Sequence, residues 1–323
     1  MVSSTVKFAA LAAVVAAVVL LALFPLPKGT TVKIGYKPNT FDLPIFIAYD
    51  RGYFQAEGVN VELVRFTDSN LEANALAAGQ VQLAGSLAAP TAFTLHLVNN
   101  GSVGVFGYSV GTIEHPLSEL LVKSDSKLSS VEDLKGRKII TYPGPLALSM
   151  TKMVLAKHGL NEGDYLLSQV DGSLHVNAIA GGSADAAFTY EPAGTLAKAM
   201  GNGKIIYSAP FEKEVISPWP TGAFLINMDA YSRDPKPVEA AMRAILRAFN
   251  DLSAEGPSAN RYLVNFTGIN ESVARNVPLM VFWNPCQVDA DATRKLEAIF
   301  VSNGVLSKHM DPDEMVVGRN LCG

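Results

Sequence analysis

The chain repeats itself, and the repeat limits what it can become. Asn74-Ala75-Leu76-Ala77-Ala78-Gly79 returns as Asn177-Ala178-Ile179-Ala180-Gly181-Gly182, a little over a hundred residues later. After each copy come a short apolar strand, a hydroxyl at its end (Ser86, then Thr189) and a proline (Pro90, then Pro192). Upstream, Lys33-Ile34-Gly35-Tyr36-Lys37-Pro38 resembles Lys138-Ile139-Ile140-Thr141-Tyr142-Pro143, and a loop and a helix follow each. Two matching stretches, in one order and at nearly one separation, indicate a duplicated unit. A length of 323 residues also suits two cores better than one.

Within each unit, short apolar runs alternate with helical patterns. In the first, strands are expected at Lys33–Tyr36, Val59–Val64, Val81–Ala84 and Val103–Val110, with helices at Pro44–Phe54, Ser69–Ala78 and Pro90–Val98. In the second, strands fall at Glu119–Val122, Lys138–Thr141, Leu166–Val170 and Ala184–Phe188. Helices there cover Leu146–Lys157, Leu174–Ala180 and Glu191–Ala199. This alternation predicts an α/β fold with mostly parallel strands. Thr221–Asn227 reads as a strand returning to the first unit. Pro235–Ala254 is a long amphipathic helix with Val238, Met242, Ile245, Leu246 and Phe249 on one face. The expected division is 1–28 as an N-terminal signal or anchor, 29–112 as lobe 1 and 113–219 as lobe 2. Residues 220–323 return to lobe 1, where the mainly helical C-terminal section packs.

The N-terminal segment has its own logic. Phe8–Phe24 is a run of apolar residues preceded by Lys7, the pattern of an export signal. The exit Ala22-Leu23-Phe24-Pro25 offers no small-x-small cleavage site, and no Cys follows for lipidation. An uncleaved membrane anchor with a cytoplasmic N-terminus is therefore expected, with a cleaved signal as the alternative. Either places the rest of the chain outside the cytoplasm. In that oxidising space Cys286 and Cys322 are candidates for a disulfide, the alternative being two buried thiols.

The loops carry the chemistry. Open α/β sheets bind ligands beyond the carboxyl ends of their strands, where helix starts present unpaired N–H groups. In and beside those turns lie Tyr36, Asn39, Phe41, Ser86, Thr141, Tyr142, Ser149, Thr189 and Tyr190. Hydroxyls and aromatic rings together suit a small polar molecule with an organic part. Trp219 sits where the chain crosses back between lobes and is a candidate for stacking on the ligand. For Ser86 the competing role is a helix cap; for Tyr36 and Tyr142, half-buried turn packing. No metal is expected, because neither CxxC nor Cys/His spacing occurs. No cofactor is expected either. The formal net charge is −4 and no Lys/Arg cluster is present, which argues against nucleic acid. The five histidines lie apart, and no G-x-S-x-G, Walker or H-E-x-x-H motif appears, so an enzyme is not expected.

Pro44-Ile45-Phe46-Ile47-Ala48-Tyr49-Asp50-Arg51-Gly52-Tyr53-Phe54-Gln55-Ala56-Glu57-Gly58-Val59 resembles the opening of the nitrate/sulfonate/taurine-type substrate-binding proteins of ABC importers. Asn74–Gln82, Leu134–Ile140 and Asp185–Pro192 match as well. That family also holds binders of thiamine-precursor pyrimidines. The resemblance implies a two-lobed, periplasmic-binding-protein-like (type II) α/β fold with two crossover strands, closing on a small-molecule ligand. It implies delivery to an ABC permease with its ATPase. The expected ligand is a small organic anion such as an aliphatic sulfonate, taurine or a nitrate-like solute. The alternatives are a pyrimidine or similar heterocycle, or a membrane-tethered sensory role for the same cleft. The loop Pro143-Gly144-Pro145-Leu146-Ala147 departs from the family's usual Gly-Ser/Thr helix start, which weakens the expectation of strong anion binding. The Cys-rich motif of the family's pyrimidine-synthesising relatives is missing.

Overall fold

The alternating pattern resolves into two separate sheets. The computed structural model describes residues 30–67, 69–99 and 101–322. The expected signal or anchor, 1–28, lies outside the described residues. Among those described, no helix is long and apolar enough to cross a membrane.

The strands are β1 (Val32–Tyr36), β2 (Val61–Arg65), β3 (Leu83–Ala88), β4 (Val103–Gly111), β5 (Ser118–Lys123), β6 (Lys138–Thr141), β7 (Leu166–Gln169), β8 (Ala186–Tyr190), β9 (Gly203–Ser208), β10 (Trp219–Asn227) and β11 (Val281–Trp283). One sheet has the order β11-β4-β10-β3-β1-β2 and the other β7-β6-β8-β5-β9. Without β11, the first order read backwards is the second: β2 matches β7, β1 matches β6, β3 matches β8, β10 matches β5, and β4 matches β9. The duplication extends to register. Ile34 pairs with Leu83 as Ile139 pairs with Ala186. Lys33 N–H donates to Gln82 Oε1 at 2.8 Å, and Lys138 N–H donates to Asp185 Oδ2 at 2.8 Å.

The expectation of mostly parallel strands needs correction. β1 is parallel to β2 and β3, and β6 to β7 and β8. β10 is antiparallel to β3 and β4, β11 to β4, and β5 to β8 and β9. Helical crossovers return the chain in the same direction and so make parallel pairs. β5 and β10 instead arrive from the opposite sheet, and they enter the slot between two strands head to tail. The strands β9 and β11 were not foreseen.

The chain passes from the first sheet to the second between Gly111 and Ser118, and back between Ser208 and Trp219. The first crossing is exposed over residues 113–115, but its end at Leu117 and Ser118 is buried, as are residues 209–212 on the second, so the backbone N–H groups there need acceptors. Glu212, 2% exposed, supplies them. It accepts from Leu117 N–H at 2.8 Å, from Ser118 N–H at 3.1 Å and from the Ser118 hydroxyl. A side chain on one crossing therefore satisfies the backbone of the other.

The helix Pro235–Glu255 packs its Val238, Met242, Ile245, Leu246 and Phe249 face inward, and it lies against the helix Leu43–Asp50. Arg51 joins the two by pairing with Asp251 and Glu255. Cys286 and Cys322 form a disulfide that fastens the C-terminal tail beside this helix.

Replacing Glu212 with Ala strands two buried N–H groups, each costing about 1–3 kcal/mol. The variant is expected to lose about 2–4 kcal/mol of unfolding free energy, read from urea denaturation by circular dichroism. A loss below a tenth of that range would show that the crossings do not depend on it.

Candidate functional site

Between the two sheets lies a cavity of about 210 Å³. From the first sheet's side come Lys37, Asn39, Phe41, Ser69, Ser86, Ala88, Thr221 and Gly222; from the second, Tyr142, Pro143, Leu146, Ala147 and Tyr190. Pockets for drug-sized ligands run to roughly 300–1,000 Å³, so this cavity is smaller than most of them. A wider hollow of about 660 Å³ opens over β6 and β7, beside the helix His175–Ala180. It is walled by one sheet alone, and only the smaller cavity gathers residues from both.

The aromatic wall belongs to the second sheet. Tyr142 and Tyr190 stack with centroids 4.5 Å apart and planes 20° apart. Phe41 meets Tyr190 edge-on from the other lobe at 6.5 Å. The Tyr142 ring lies so close to Gly172 that a Cβ there would overlap it. Tyr142 also has a hydrogen-bonded support behind it. Its hydroxyl engages Thr189, and Thr189 Oγ1 lies 2.9 Å from His175 Nδ1. His175 Nε2 is 2.9 Å from the Val170 carbonyl, which only accepts, so Nε2 carries the proton and Nδ1 accepts from Thr189. Burial lowers the His175 pKa and keeps this neutral tautomer. Tyr190, 8% exposed, has a buried hydroxyl without a hydrogen-bond partner among the described residues, and burial raises its pKa. A buried donor of this kind at a cavity wall is a natural contact for a guest.

The polar floor belongs to the first sheet. Asp42 is fully buried and accepts from Lys37 N–H at 2.7 Å and Ser86 N–H at 2.6 Å. Burial pushes its carboxyl up to about 7, Lys37 opposing and Glu72 adding to the rise. Ser86 Oγ lies 2.7 Å from Ser109 Oγ. Gly222 faces both hydroxyls where a Cβ would collide with them. Two helices start at the cavity, Ala89–Val98 and Pro145–Lys157, and neither start has a side-chain cap. Their cavity-side residues are Ala88 on one, Leu146 and Ala147 on the other. Such starts favour acceptor atoms on a guest.

Of the residues singled out from sequence, Asn39, Phe41, Ser86, Tyr142 and Tyr190 line the cavity. Tyr36, Thr141, Ser149, Thr189 and Trp219 lie outside it. Tyr36 packs edge-on against Phe46 at 5.7 Å and Phe266 at 6.4 Å. Thr141 is buried with its hydroxyl 3.0 Å from that of Thr151. Ser149 lies two residues past Ala147, about 200° round the helix. Thr189 turns to His175. Trp219 is fully buried behind Tyr190, at 5.8 Å, and against Phe211, at 5.6 Å. Lys37, Ser69, Thr221 and Gly222 were missed. For Lys37 the signal was its place one residue beyond β1, in the first strand-to-helix turn. Among the described residues, no group of three or more His, Cys, Asp or Glu is placed to hold a metal ion.

Under Tyr190, three carboxyls are buried together: Glu119, Glu191 and Glu212. Burial, then the Glu191 charge, pushes Glu119 up to about 10. Glu191 is raised by burial and lowered by its hydrogen bonds from Glu119 and Thr195. Two buried carboxyls side by side disfavour carrying two charges, which favours a proton on Glu119.

Together, the duplicated sheets, the double crossing and the cavity between them define the fold of periplasmic solute-binding proteins. The chain belongs to the NMT1/THI5-like family, whose sequence model matches residues 39–258. A Haemophilus influenzae protein named for thiamine biosynthesis is 28% identical over 155 residues, 47% of this chain and 46% of that protein. The chain thus matches just under half the length of that relative. A Brucella abortus protein named as a binding protein is 24% identical over 233 residues, 70% of this chain and 68% of that one. In structure, the chain resembles the alkanesulfonate-binding protein of Xanthomonas axonopodis pv. citri bound to MOPS. The TM-score is 0.70 and the identity 19%, covering 90% of this chain and 98% of that one. The periplasmic nitrate-binding protein of Synechocystis PCC 6803 matches with a TM-score of 0.71 and 16% identity, covering 90% and 86%. The two-lobed α/β fold expected from sequence is the one found.

The Glu119 proton gives a pH test. Its folded pKa lies above the usual 4.5, so its contribution to stability is complete below about 4.5 and is lost as pH rises toward about 10. Wild-type unfolding free energy should fall between pH 5 and 9, with one such group adding a slope of at most about 1.4 kcal/mol per pH unit. Glu119→Gln keeps the hydrogen bond to Glu191 and removes the titration, so its slope should be visibly flatter in thermal melts across that range.

Proposed function

We propose that this chain is the extracytoplasmic solute-binding component of an ABC importer, and that it binds rather than transforms its guest. The guest is a small, flat, polar organic molecule, with a substituted pyrimidine as the leading example. It is held between the lobes and handed to a membrane permease driven by an ATPase.

The observation that carries this reading is the stacked Tyr142–Tyr190 pair facing Phe41 across the lobe boundary. A planar unsaturated ring gains from such a wall by stacking, while the uncapped helix starts and the Tyr190 hydroxyl meet its polar edge. The thiamine-related names of the Haemophilus protein and of a Schizosaccharomyces pombe pyrimidine phosphate synthase support the same class. The fold shared with solute-binding proteins, and a Brucella relative named as a binding protein, support binding over catalysis. A second reading, an aliphatic sulfonate or similar anion, is favoured by the same helix starts and by Lys37 at the wall.

A thermal-shift screen of purified protein tests it. A true guest at a hundred times its dissociation constant stabilises by about 2.7 kcal/mol. 4-Amino-5-hydroxymethyl-2-methylpyrimidine is expected to raise the melting temperature. Tyr142→Ala should weaken its binding roughly ten- to a hundredfold, since stacking of a base on an aromatic ring is worth about 1–3 kcal/mol. Turnover of the bound compound, or no shift from any heterocycle or organic anion, would end the proposal.

A further inference from the structure

The cavity's charge has an unusual arrangement. Among the described residues lining it, Lys37 is the charged one. Its side chain is 13% exposed, and its ammonium is already occupied. Nζ donates to Glu72 Oε2 at 2.7 Å and to the Ser86 carbonyl at 3.3 Å. Glu72 is fully buried in the helix Ser69–Ala77, and its other oxygen accepts from Gly85 N–H at 3.2 Å. Asp42, also fully buried, lies at the same floor and accepts from the Lys37 and Ser86 N–H groups. The fit is tight. A Cβ on Gly85 would overlap Asp42, and one on Gly35 would come within 3.1 Å of Glu72 Oε1.

These three groups decide what the cavity can tolerate. With Lys37 and Glu72 charged, the floor is neutral when Asp42 is protonated and carries one negative charge when it is ionised. In neither state does it hold an uncompensated cation. A buried ion pair at contact distance offers little attraction to a third charge, and inside a protein a nearby carboxylate repels an anion more strongly than in water. The helix starts remain, but they supply partial charges that suit an acceptor atom as well as a full anion.

We infer that Glu72 is a specificity-determining residue. By neutralising Lys37 in the cavity floor, it sets the site for a small solute without net negative charge and against simple anions. The inference rests on the cavity being the solute site proposed above, and it narrows the guest to one side of the two readings given there.

The test uses isothermal titration of the purified protein with four probes: 4-amino-5-hydroxymethyl-2-methylpyrimidine, taurine, ethanesulfonate and nitrate. Wild type is expected to bind the neutral pyrimidine at least tenfold more tightly than ethanesulfonate or nitrate, with zwitterionic taurine between. Glu72→Gln preserves size and an acceptor for Gly85 while removing one negative charge from beside Lys37. It should gain at least tenfold in affinity for ethanesulfonate and change less than threefold for the pyrimidine. The double variant Lys37→Gln/Glu72→Gln, which removes both members of the ion pair, should lose that gain. If wild type prefers either anion over the pyrimidine, or if Glu72→Gln folds and gains nothing for anions, the inference is wrong while solute binding stands. If Glu72→Gln does not fold, the wild-type order of the four probes decides alone. If no probe binds, the solute-site reading itself fails.

Discussion

The architecture rests on two backbone crossings tied together at one buried carboxylate. A chain that builds one sheet, leaves to build another and returns must bury the ends of its crossings where they enter the sheets. There, each unpaired N–H is costly. Glu212 resolves this by lending one carboxylate to the opposite crossing. Its acceptance of three donors also explains why a carboxyl is tolerated there at all, although burial raises its pKa. The crossings deliver β5 into the interior of the second sheet, between β8 and β9, and β10 into that of the first, between β4 and β3. Each lobe is therefore incomplete without a strand that the other lobe's chain path supplies, and the cavity follows from this exchange. Thr221 and Gly222, on the returning strand, meet Ser86 and Tyr190 from the two halves.

Much of this was legible in the residues, and the failures have particular causes. The repeat of Asn74–Gly79 in Asn177–Gly182 reports a real equivalence, since the strands beside them hold the same place in the two sheets. Strand direction was not legible. The apolar run Val103–Gly111 is buried at every residue whichever way its neighbour runs, and the orientation comes from the long-range crossing. β11 has only three residues, too few to show a period.

The site divided along similar lines. Adjacent residues on a strand face opposite sides, so Thr189 and Tyr190 could not both line one cavity, nor could Thr141 and the Tyr142 that follows it in the same extended run. The sequence pointed to the loops that meet at the cavity but not to the parity along them. In both pairs the aromatic faces the cavity and the threonine faces the interior, where Thr189 and Thr141 find His175 and Thr151. Lys37 escaped for another reason. A lysine reads as a surface residue by default, and its burial depends on Glu72, which is distant in sequence.

Shared architecture and differing chemistry can thus be separated. The sheets, the crossings and the uncapped helix starts give a scaffold in which two lobes face a small guest, and the same scaffold appears in structures named for sulfonate and nitrate binding. What the scaffold recognises is set by a few side chains at the turns. Here the second lobe contributes rings, Tyr142 and Tyr190, braced from behind by Thr189, His175 and Trp219. The first contributes a cation that is matched by carboxylates before any guest arrives. A cavity between two lobes removes what it holds from water. A flat solute without net charge gives up less hydration on entry than an anion does, so a cavity with no spare positive charge can hold the former by stacking and a few hydrogen bonds. The neutralised floor and the aromatic wall are in this sense one design, since each makes sense of the other's chemistry.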